Sequence, residues 1–361
     1  MSEARNYLKI MVMPLVWLLW KIRQAFTRFS NLEPKSICVL YLSGMGDILC
    51  DSFFFRELRA RYPQAVLTAC FPAPFCDLQR NYFQFDKYIA HQDYWTTLKE
   101  LWKLNCDLII IPGWLTRNSI LAILSNARAI IGYVNDLSFT NRYLNSFTLE
   151  AAGIRVNRFR QDMRLCHLAQ RPAAISAALG IPHLEVTSLS IPRLKEARNY
   201  AVFHAGARFP GRRWKEDNFC KVAEWLLQSA YVDTVYLIGD EADKAINLRI
   251  RAFSKSKAII DKAGGMSLVE SFELISAARF FLGNDSGPMH ISALAGVPTL
   301  GLLGPNFPHI SGPLGTQSRW IFHEFPCSGC NQRTCDYGYR CINAITVEET
   351  LQAIKQMTGI S

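Results

Sequence analysis

The sequence predicts an α/β fold of two halves, each a doubly wound parallel sheet, facing each other across a central cleft. Three observations carry this. Short apolar runs alternate with segments of helical length. The runs are followed by loops that carry glycine or proline. The alternation lapses after Tyr133 and restarts at Tyr200. Strands alternating with helices make parallel sheets, and ligands of such sheets bind beyond the carboxyl ends of the strands.

In the first half, Ser36–Leu42 is an apolar run too short for a helix, and Ile48–Arg61 reads as a helix that stops before Pro63. Ala65–Cys70, Asp86–Ala90, Asp107–Ile111 and Ala129–Tyr133 read as further strands, with helices between them. Residues 134–165 are irregular and rich in Arg and Asn. A helix is expected over Met163–Leu179, stopping at Gly180 with Pro182 beyond, and 181–199 reads as a linker. In the second half, Tyr200–His204, Thr234–Ile238, Ala258–Ile260, Arg279–Gly283 and Pro298–Leu303 read as strands. Asp217–Ala230, Glu241–Phe253, Ser267–Ala277 and Val347–Met357 read as helices. The expected organisation is an N-terminal segment (1–34), a first Rossmann-like domain (35–190), a second (191–345) and a C-terminal helix (346–361).

The chain has 361 residues, a length that suits two domains. It is 50% hydrophobic and 19% charged, which excludes disorder. A mean hydropathy of +0.05 excludes a polytopic membrane protein. The net charge of +10 points to an anionic partner: nucleic acid, an anionic membrane surface or a phosphorylated substrate. Nucleic acid is set aside for want of a recognition helix, an RNP motif or a Lys-rich tail. Residues Ile10 to Trp20 are apolar, between Lys9 and Lys21. The run is too short to span a bilayer. With Trp17, Trp20, Arg23 and Arg28 it predicts an interfacial helix on an anionic membrane surface. A helix packed on the protein's own surface is the alternative.

Four motifs sit at strand ends. Ser43-Gly44-Met45-Gly46-Asp47 follows the first strand. Its glycines allow backbone to approach a ligand, and Asp47 is placed either to act as a general base or to cap the helix. His204-Ala205-Gly206-Ala207-Arg208 runs on to Arg212-Arg213-Trp214-Lys215, with four cations within eight residues. Arg208, Arg212 and Arg213 there suit a phosphate. Gly283-Asn284-Asp285-Ser286-Gly287-Pro288-Met289-His290 leads from a strand into a helix whose free amides and dipole suit a diphosphate. Gly304-Pro305 lines the same rim, and His290 falls in the first helical turn. Gly239-Asp240-Glu241-Ala242-Asp243 is an acidic strand end, read as a cap or as an acceptor for ribose hydroxyls. Arg142, Arg155, Arg158, Arg160 and Arg164 offer either an acceptor surface or a solvated face.

In order and spacing these motifs resemble glycosyltransferase family 9, the ADP-heptose:lipopolysaccharide heptosyltransferase family. Gly44-Met45-Gly46-Asp47 resembles its Ser-Met-Gly-Asp, Arg212-Arg213-Trp214 its Lys-Arg/His-Trp, and Asp285 to His290 its Asp-Thr/Ser-Gly-x-x-His. Ala293 to Thr299 and Gly304-Pro305 also fit. The resemblance implies two Rossmann-like domains of the GT-B type, and inverting transfer of heptose from ADP-heptose that needs no metal or other cofactor. The implied acceptor is a lipopolysaccharide core or another lipid-linked glycan. The implied setting is cytoplasmic, peripheral to the inner membrane.

On that reading Asp47 is the base. Gly44, Met45, Gly46, Arg142 and Arg158 face the acceptor. Arg208, Arg212, Arg213, Asp285, Ser286, Gly287, His290 and Gly304 face the donor, and Asp243 stands at the family's ribose-binding acid. The chain departs from the pattern in three places. Tyr41-Leu42 stand where a basic residue is often found, Arg212 replaces Lys, and Asp243 replaces Glu. A nucleotide-sugar-binding or assembly protein without transfer activity, and a transferase or epimerase using another nucleotide sugar, remain alternatives.

Eleven cysteines, an odd number in a long chain, argue against a secreted disulfide framework and for a reducing compartment. Seven are scattered in apolar surroundings: Cys38, Cys50, Cys70, Cys76, Cys106, Cys166 and Cys220. Cys327, Cys330, Cys335 and Cys341 are clustered and predict a structural Zn or Fe site. Four reduced thiols in a compact loop are the alternative.

Overall fold

The structure, a computed structural model, describes residues 33–82, 85–113, 116–132, 167–170, 172–181, 197–330 and 334–360. It divides into two compact units. The first contains residues 1–44, 51–163 and 169–184, and the second 45–50, 164–168 and 185–361. Residues 45–50 therefore cluster with the second half of the chain, although the strand before them belongs to the first.

The first sheet has the parallel order β3-β2-β1-β4-β5, from β1 (Ser36–Leu40), β2 (Val66–Pro72), β3 (Lys87–His91), β4 (Leu108–Ile111) and β5 (Ala129–Gly132). The central strands are buried on both faces, so they read as unbroken apolar runs. The expected helix over 48–61 is two helices, α1 (Met45–Cys50) and α2 (Ser52–Arg61). Asp51, at φ −85° and ψ 3°, lies off the helix between them. α3 (Ala73–Tyr82), α4 (Tyr94–Leu104) and α5 (Thr116–Leu124) follow. Of the expected helix over 163–179, residues 163–166 and 171 lie outside the described residues, and the described part is broken. A 3-10 turn, Leu168–Gln170, precedes Pro172 and α6 (Ala173–Ala178). Proline lacks an amide and clashes with the preceding turn, so helix restarts after it.

The second sheet is parallel in the order β11-β10-β9-β6-β7-β8. Its strands are β6 (Tyr200–His204), β7 (Thr234–Leu237), β8 (Ile259–Asp261), β9 (Phe280–Asn284), β10 (Thr299–Leu303) and β11 (Ser318–Phe322). Around them lie α7 (Glu216–Gln228), α8 (Lys244–Ala252), α9 (Leu268–Ser276), α10 (Gly287–Leu294), α11 (Pro308–Ser311), α12 (Arg340–Asn343) and α13 (Val347–Thr358). Its core packs Phe203, Trp214, Phe219, Leu282, Leu302 and Ile342 around the sheet. β11 is absent from the sequence reading. As an edge strand it exposes Arg319 and Trp320, which breaks the apolar run.

The expected membrane-interface segment, Arg142, Arg158 and the rest of that arginine stretch, and Cys166 lie outside the described residues. Among the described residues no helix is long and apolar enough to cross a membrane. Cys38, Cys50, Cys70, Cys76, Cys106 and Cys220 are buried, as small hydrophobes are.

Candidate functional site

β9 lies between β6 and β10, with His204 beside Gly283 and Leu302 beside Asn284. The carboxyl ends of three adjacent strands thus open into the loops that carry the second-half motifs. Asn284, fully buried, ties two of these loops together. Its Nδ2 donates to the Ala205 carbonyl at 2.7 Å, and its Oδ1 accepts from the Trp214 amide at 3.2 Å. Trp214 is itself buried, with Nε1 donating to the Ile345 carbonyl at 2.8 Å. The cationic loop is therefore clamped at both ends. Gly304 comes so close to this loop that a Cβ there would stand 2.5 Å from the Gly211 carbonyl oxygen.

Between the clamps stands Arg212. Its Nη1 lies 3.4 Å from Asp285 Oδ2 and donates to the Asp285 carbonyl at 3.3 Å. The same carboxylate oxygen accepts from Asn306 Nδ2 and from Ser311 Oγ at 3.2 Å. Arg208 and Arg213 are exposed. Arg208 lies over the Phe209 ring, and Arg213 Nε donates to the Ala207 carbonyl at 2.9 Å.

Ser286 is the N-cap of α10, and Pro288 sits in its first turn, where a missing amide costs nothing. The Ser286 side chain makes no capping bond. Its Oγ donates to the Asn284 carbonyl at 3.0 Å and lies 2.8 Å from His204 Nδ1. His204 Nε2 lies 3.4 Å from Asp243 Oδ2. Asp243 sits in a capping box with Asp240, and its Oδ2 accepts the Asp240 amide at 3.2 Å. Burial alone would raise the Asp243 carboxyl. The hydrogen bond and charge of His204, with help from the Asp240 amide and Arg213, hold it below the ordinary carboxylate value. The carboxylate expected to meet ribose is thus turned toward an imidazole.

α1 belongs to the same unit and packs on α10. A Cβ on Gly46 would stand 3.1 Å from His290 Cδ2, and one on Gly287 would strike the Met45 side chain. Cys50 Sγ lies 3.7 Å from His290 Nδ1. Met45 and Gly46, expected to face an acceptor, therefore also form the seat of α1. His290 is buried, and burial pulls it below the ordinary histidine value. Asp285 and Asp47 act on it in the opposite sense, and Arg212 acts with burial. Asp47 is half-buried, within electrostatic reach of this group.

The structure thus brings together Met45, Gly46, Asp47, Arg212, Asp285, Ser286, Gly287, His290 and Gly304. Asp243 joins them through His204, and Gly44 adjoins α1. The sequence reading gave no role to His204, Asn284, Asn306 or Ser311. The first two lie inside quoted motifs, at the last positions of parallel strands, which is the one signal that marks them. Asn306 and Ser311 carry no local pattern.

The four clustered thiols are soft donors suited to Zn or Fe. They lie near enough that Cys327, Cys330 and Cys335 add to the effect of burial in raising Cys341. Cys335 Sγ accepts the Tyr339 amide at 3.3 Å. Among the described residues, however, no three His, Cys, Asp or Glu side chains converge as ligands of a metal.

Two parallel sheets with flanking helices, and a cationic loop and helix start at the strand ends of the second, define an α/β protein of the GT-B type. The model of glycosyltransferase family 9 (heptosyltransferase) matches residues 147–340, more than half of the chain, and the chain belongs to that family. Lipopolysaccharide heptosyltransferase 2 of Salmonella typhimurium is 27% identical over 311 residues, 79% of this chain and 87% of that protein. Lipopolysaccharide heptosyltransferase 1 of Pseudomonas aeruginosa is 29% identical over 139 residues, and that match spans 38% of each chain. The fold resembles E. coli ADP-heptose lps heptosyltransferase II, with a TM-score of 0.71 at 20% identity over 89% of this chain and 98% of the other. It also resembles the iron-containing dodecameric glycosyltransferase TibC of enterotoxigenic E. coli, with a TM-score of 0.59 at 16% identity over 91% and 77%.

Proposed function

We propose that this protein transfers heptose from ADP-heptose to a hydroxyl of a lipopolysaccharide core acceptor, with inversion, without a catalytic metal, and with Asp47 as general base. One observation carries the reading. The helix that bears Asp47 packs directly on α10, whose amino end adjoins Arg212 and Ser286. This packing supports the reading by bringing a carboxylate-bearing helix start beside a helix start that adjoins a guanidinium. The names of the relatives supply the donor and the acceptor class.

In this mechanism Asp47 takes the proton of the acceptor hydroxyl. The oxygen attacks the anomeric carbon as the bond to the diphosphate breaks, and ADP leaves with the electron pair. Arg212 offsets the charge that grows on the leaving oxygens, and the first amides of α10 assist. Before donor binds, Asp285 holds the Arg212 guanidinium in place. On this reading the reaction takes place at the cytoplasmic face of the inner membrane.

The test is Asp47→Asn. General-base catalysis contributes about 10²–10⁴-fold. Transfer should fall by that factor while ADP affinity stays within about twofold. Full transfer by the variant refutes the base. A donor panel of ADP-, GDP- and UDP-sugars tests the nucleotide, and preference for GDP or UDP refutes heptose from ADP-heptose.

The cysteine cluster supports a separate proposal, a structural Zn or Fe bound by Cys327, Cys330, Cys335 and Cys341. It draws on their thiolate chemistry and on the iron-containing relative. Metal analysis of protein purified without added metal should find about one equivalent, lost with stability in Cys330→Ser. Metal-free protein and an equally stable variant refute it.

A further inference from the structure

We propose that His204, braced by Asp243, is a positioning residue that turns the Ser286 hydroxyl toward a phosphate of the bound nucleoside diphosphate. The inference rests on the reading of the amino end of α10 as the diphosphate site.

A serine at an N-cap ordinarily accepts a bond from an amide of the first helical turn. Ser286 does not. Its Oγ is drawn instead to His204 Nδ1 at 2.8 Å and to the Asn284 carbonyl at 3.0 Å. The orphan amides of the first turn are therefore left for an anion rather than for the protein's own side chain. Ser286 is half-buried, so the hydroxyl stays within reach of a ligand.

His204 decides which way that hydroxyl points. Its Nε2 faces a carboxylate oxygen of Asp243 at 3.4 Å and must carry a proton to do so favourably. Nδ1 then has two options. Without a proton it accepts Ser286 Oγ–H, which removes that proton from the ligand side. With a proton it donates to Oγ, and the single hydroxyl proton is released. In free protein that proton goes to the Asn284 carbonyl. Beside a diphosphate it goes to a phosphate oxygen.

The brace is built with little slack. A Cβ on Gly206 would strike the Asp243 carboxylate, and one on Gly239 would stand 2.5 Å from Asp243 Cβ. Asp243 is thus held between two loops that leave no room for a side chain. His204 and Asp243 are both buried. Beside its own contact the pair bonds to the Asp240 amide through Asp243 and to Ser286 through His204, so the imidazole links the capped loop to the helix start.

The test is a double-mutant cycle on ADP affinity, measured by titration calorimetry on full-length protein. His204→Ala and Ser286→Ala should each weaken ADP about tenfold, and the double variant should be no weaker than either alone. His204→Asn, whose side-chain amide can donate to Oγ, should recover most of the loss. Additive losses overturn the proposal, as does a folded His204→Ala with ADP affinity within twofold of the parent. If His204→Ala does not fold, Ser286→Ala and His204→Asn decide: an unaltered affinity in Ser286→Ala, or a full loss in a folded His204→Asn, overturns it. If the parent binds GDP or UDP in place of ADP, the ADP-heptose reading fails and the same cycle is read with that nucleotide. If it binds no nucleoside diphosphate, both fail.

Discussion

Trp214 and Trp102 make the same bond in opposite surroundings, and their replacement by phenylalanine separates burial from bonding. Trp214 Nε1 donates to the Ile345 carbonyl at 2.8 Å, and Trp102 Nε1 donates to the Leu124 carbonyl at the same distance. Trp214 is 1% exposed and Trp102 54%. In Trp214→Phe the Ile345 carbonyl is left buried without a donor, which costs about 1–3 kcal/mol. The smaller ring also leaves a void between Phe219, whose centroid is 5.2 Å away, and the helix ends beyond, adding about 1 kcal/mol. The expected loss is about 2–4 kcal/mol. In Trp102→Phe water replaces the donor, and the loss should stay below about 0.5 kcal/mol. Urea unfolding followed by far-UV circular dichroism reads both, with m taken from each curve. On the proposed donor site, losing the indole anchor to Ile345 should also weaken ADP as the cationic loop loosens. Equal losses in the two variants would refute the argument, since burial would then have no part in the cost.

Two further outcomes follow from the same unit. Gly206→Ala drives a methyl group into the Asp243 carboxylate, and overpacking at a site closed on its far side by Gly239 should cost about 1–3 kcal/mol in urea unfolding. His290 is held below its ordinary value of 6.5 by burial, so the unfolded chain takes up its proton first. The stability it contributes is complete above about pH 6.5 and is lost as pH falls through the folded-state value. His290→Gln should therefore flatten the fall in unfolding free energy between pH 7.5 and 5.5, and an unchanged slope would refute the assignment.

The reading of fold from sequence succeeds where a strand is buried on both faces. Leu108–Ile111 and Thr299–Leu303 have only apolar or small neighbours to present, so the run itself is the signal. It fails at Ser318–Phe322, an edge strand where Arg319 and Trp320, on opposite faces, are both exposed and interrupt the run. It also overruns at Asp51 and Pro172, where a helix breaks inside a continuous pattern. The site divides in the same way. Asp285-Ser286-Gly287-Pro288 is readable because strand end, turn and helix start are contiguous. His204 is not, because its partners Ser286 and Asp243 are distant in sequence and no spacing rule joins a strand-end histidine to either. The acid at 243 was readable as an acid but not as the histidine's partner, since only the folded loop shows which way it turns.

The two glycine motifs acquire a common meaning in the structure. Read singly, Gly44-Met45-Gly46 is a turn that lets backbone approach a ligand, and Ser286-Gly287-Pro288 a helix start whose amides suit a diphosphate. In the fold they also admit each other. Gly287 has no Cβ where Met45 lies, and Gly46 has none where the His290 ring lies. The starts of α1 and α10 can therefore approach more closely than helices bearing side chains at those positions. Asp47 follows Gly46 directly, so this seat fixes its carboxylate relative to the first turn of α10. The distance between the proposed base and the proposed anion site is then set by short-range packing of a few atoms, although some 240 residues of chain separate them. A one-methyl change at either glycine would shift that distance, and a misplacement of about 1 Å is enough to cost a bound reaction two orders of magnitude.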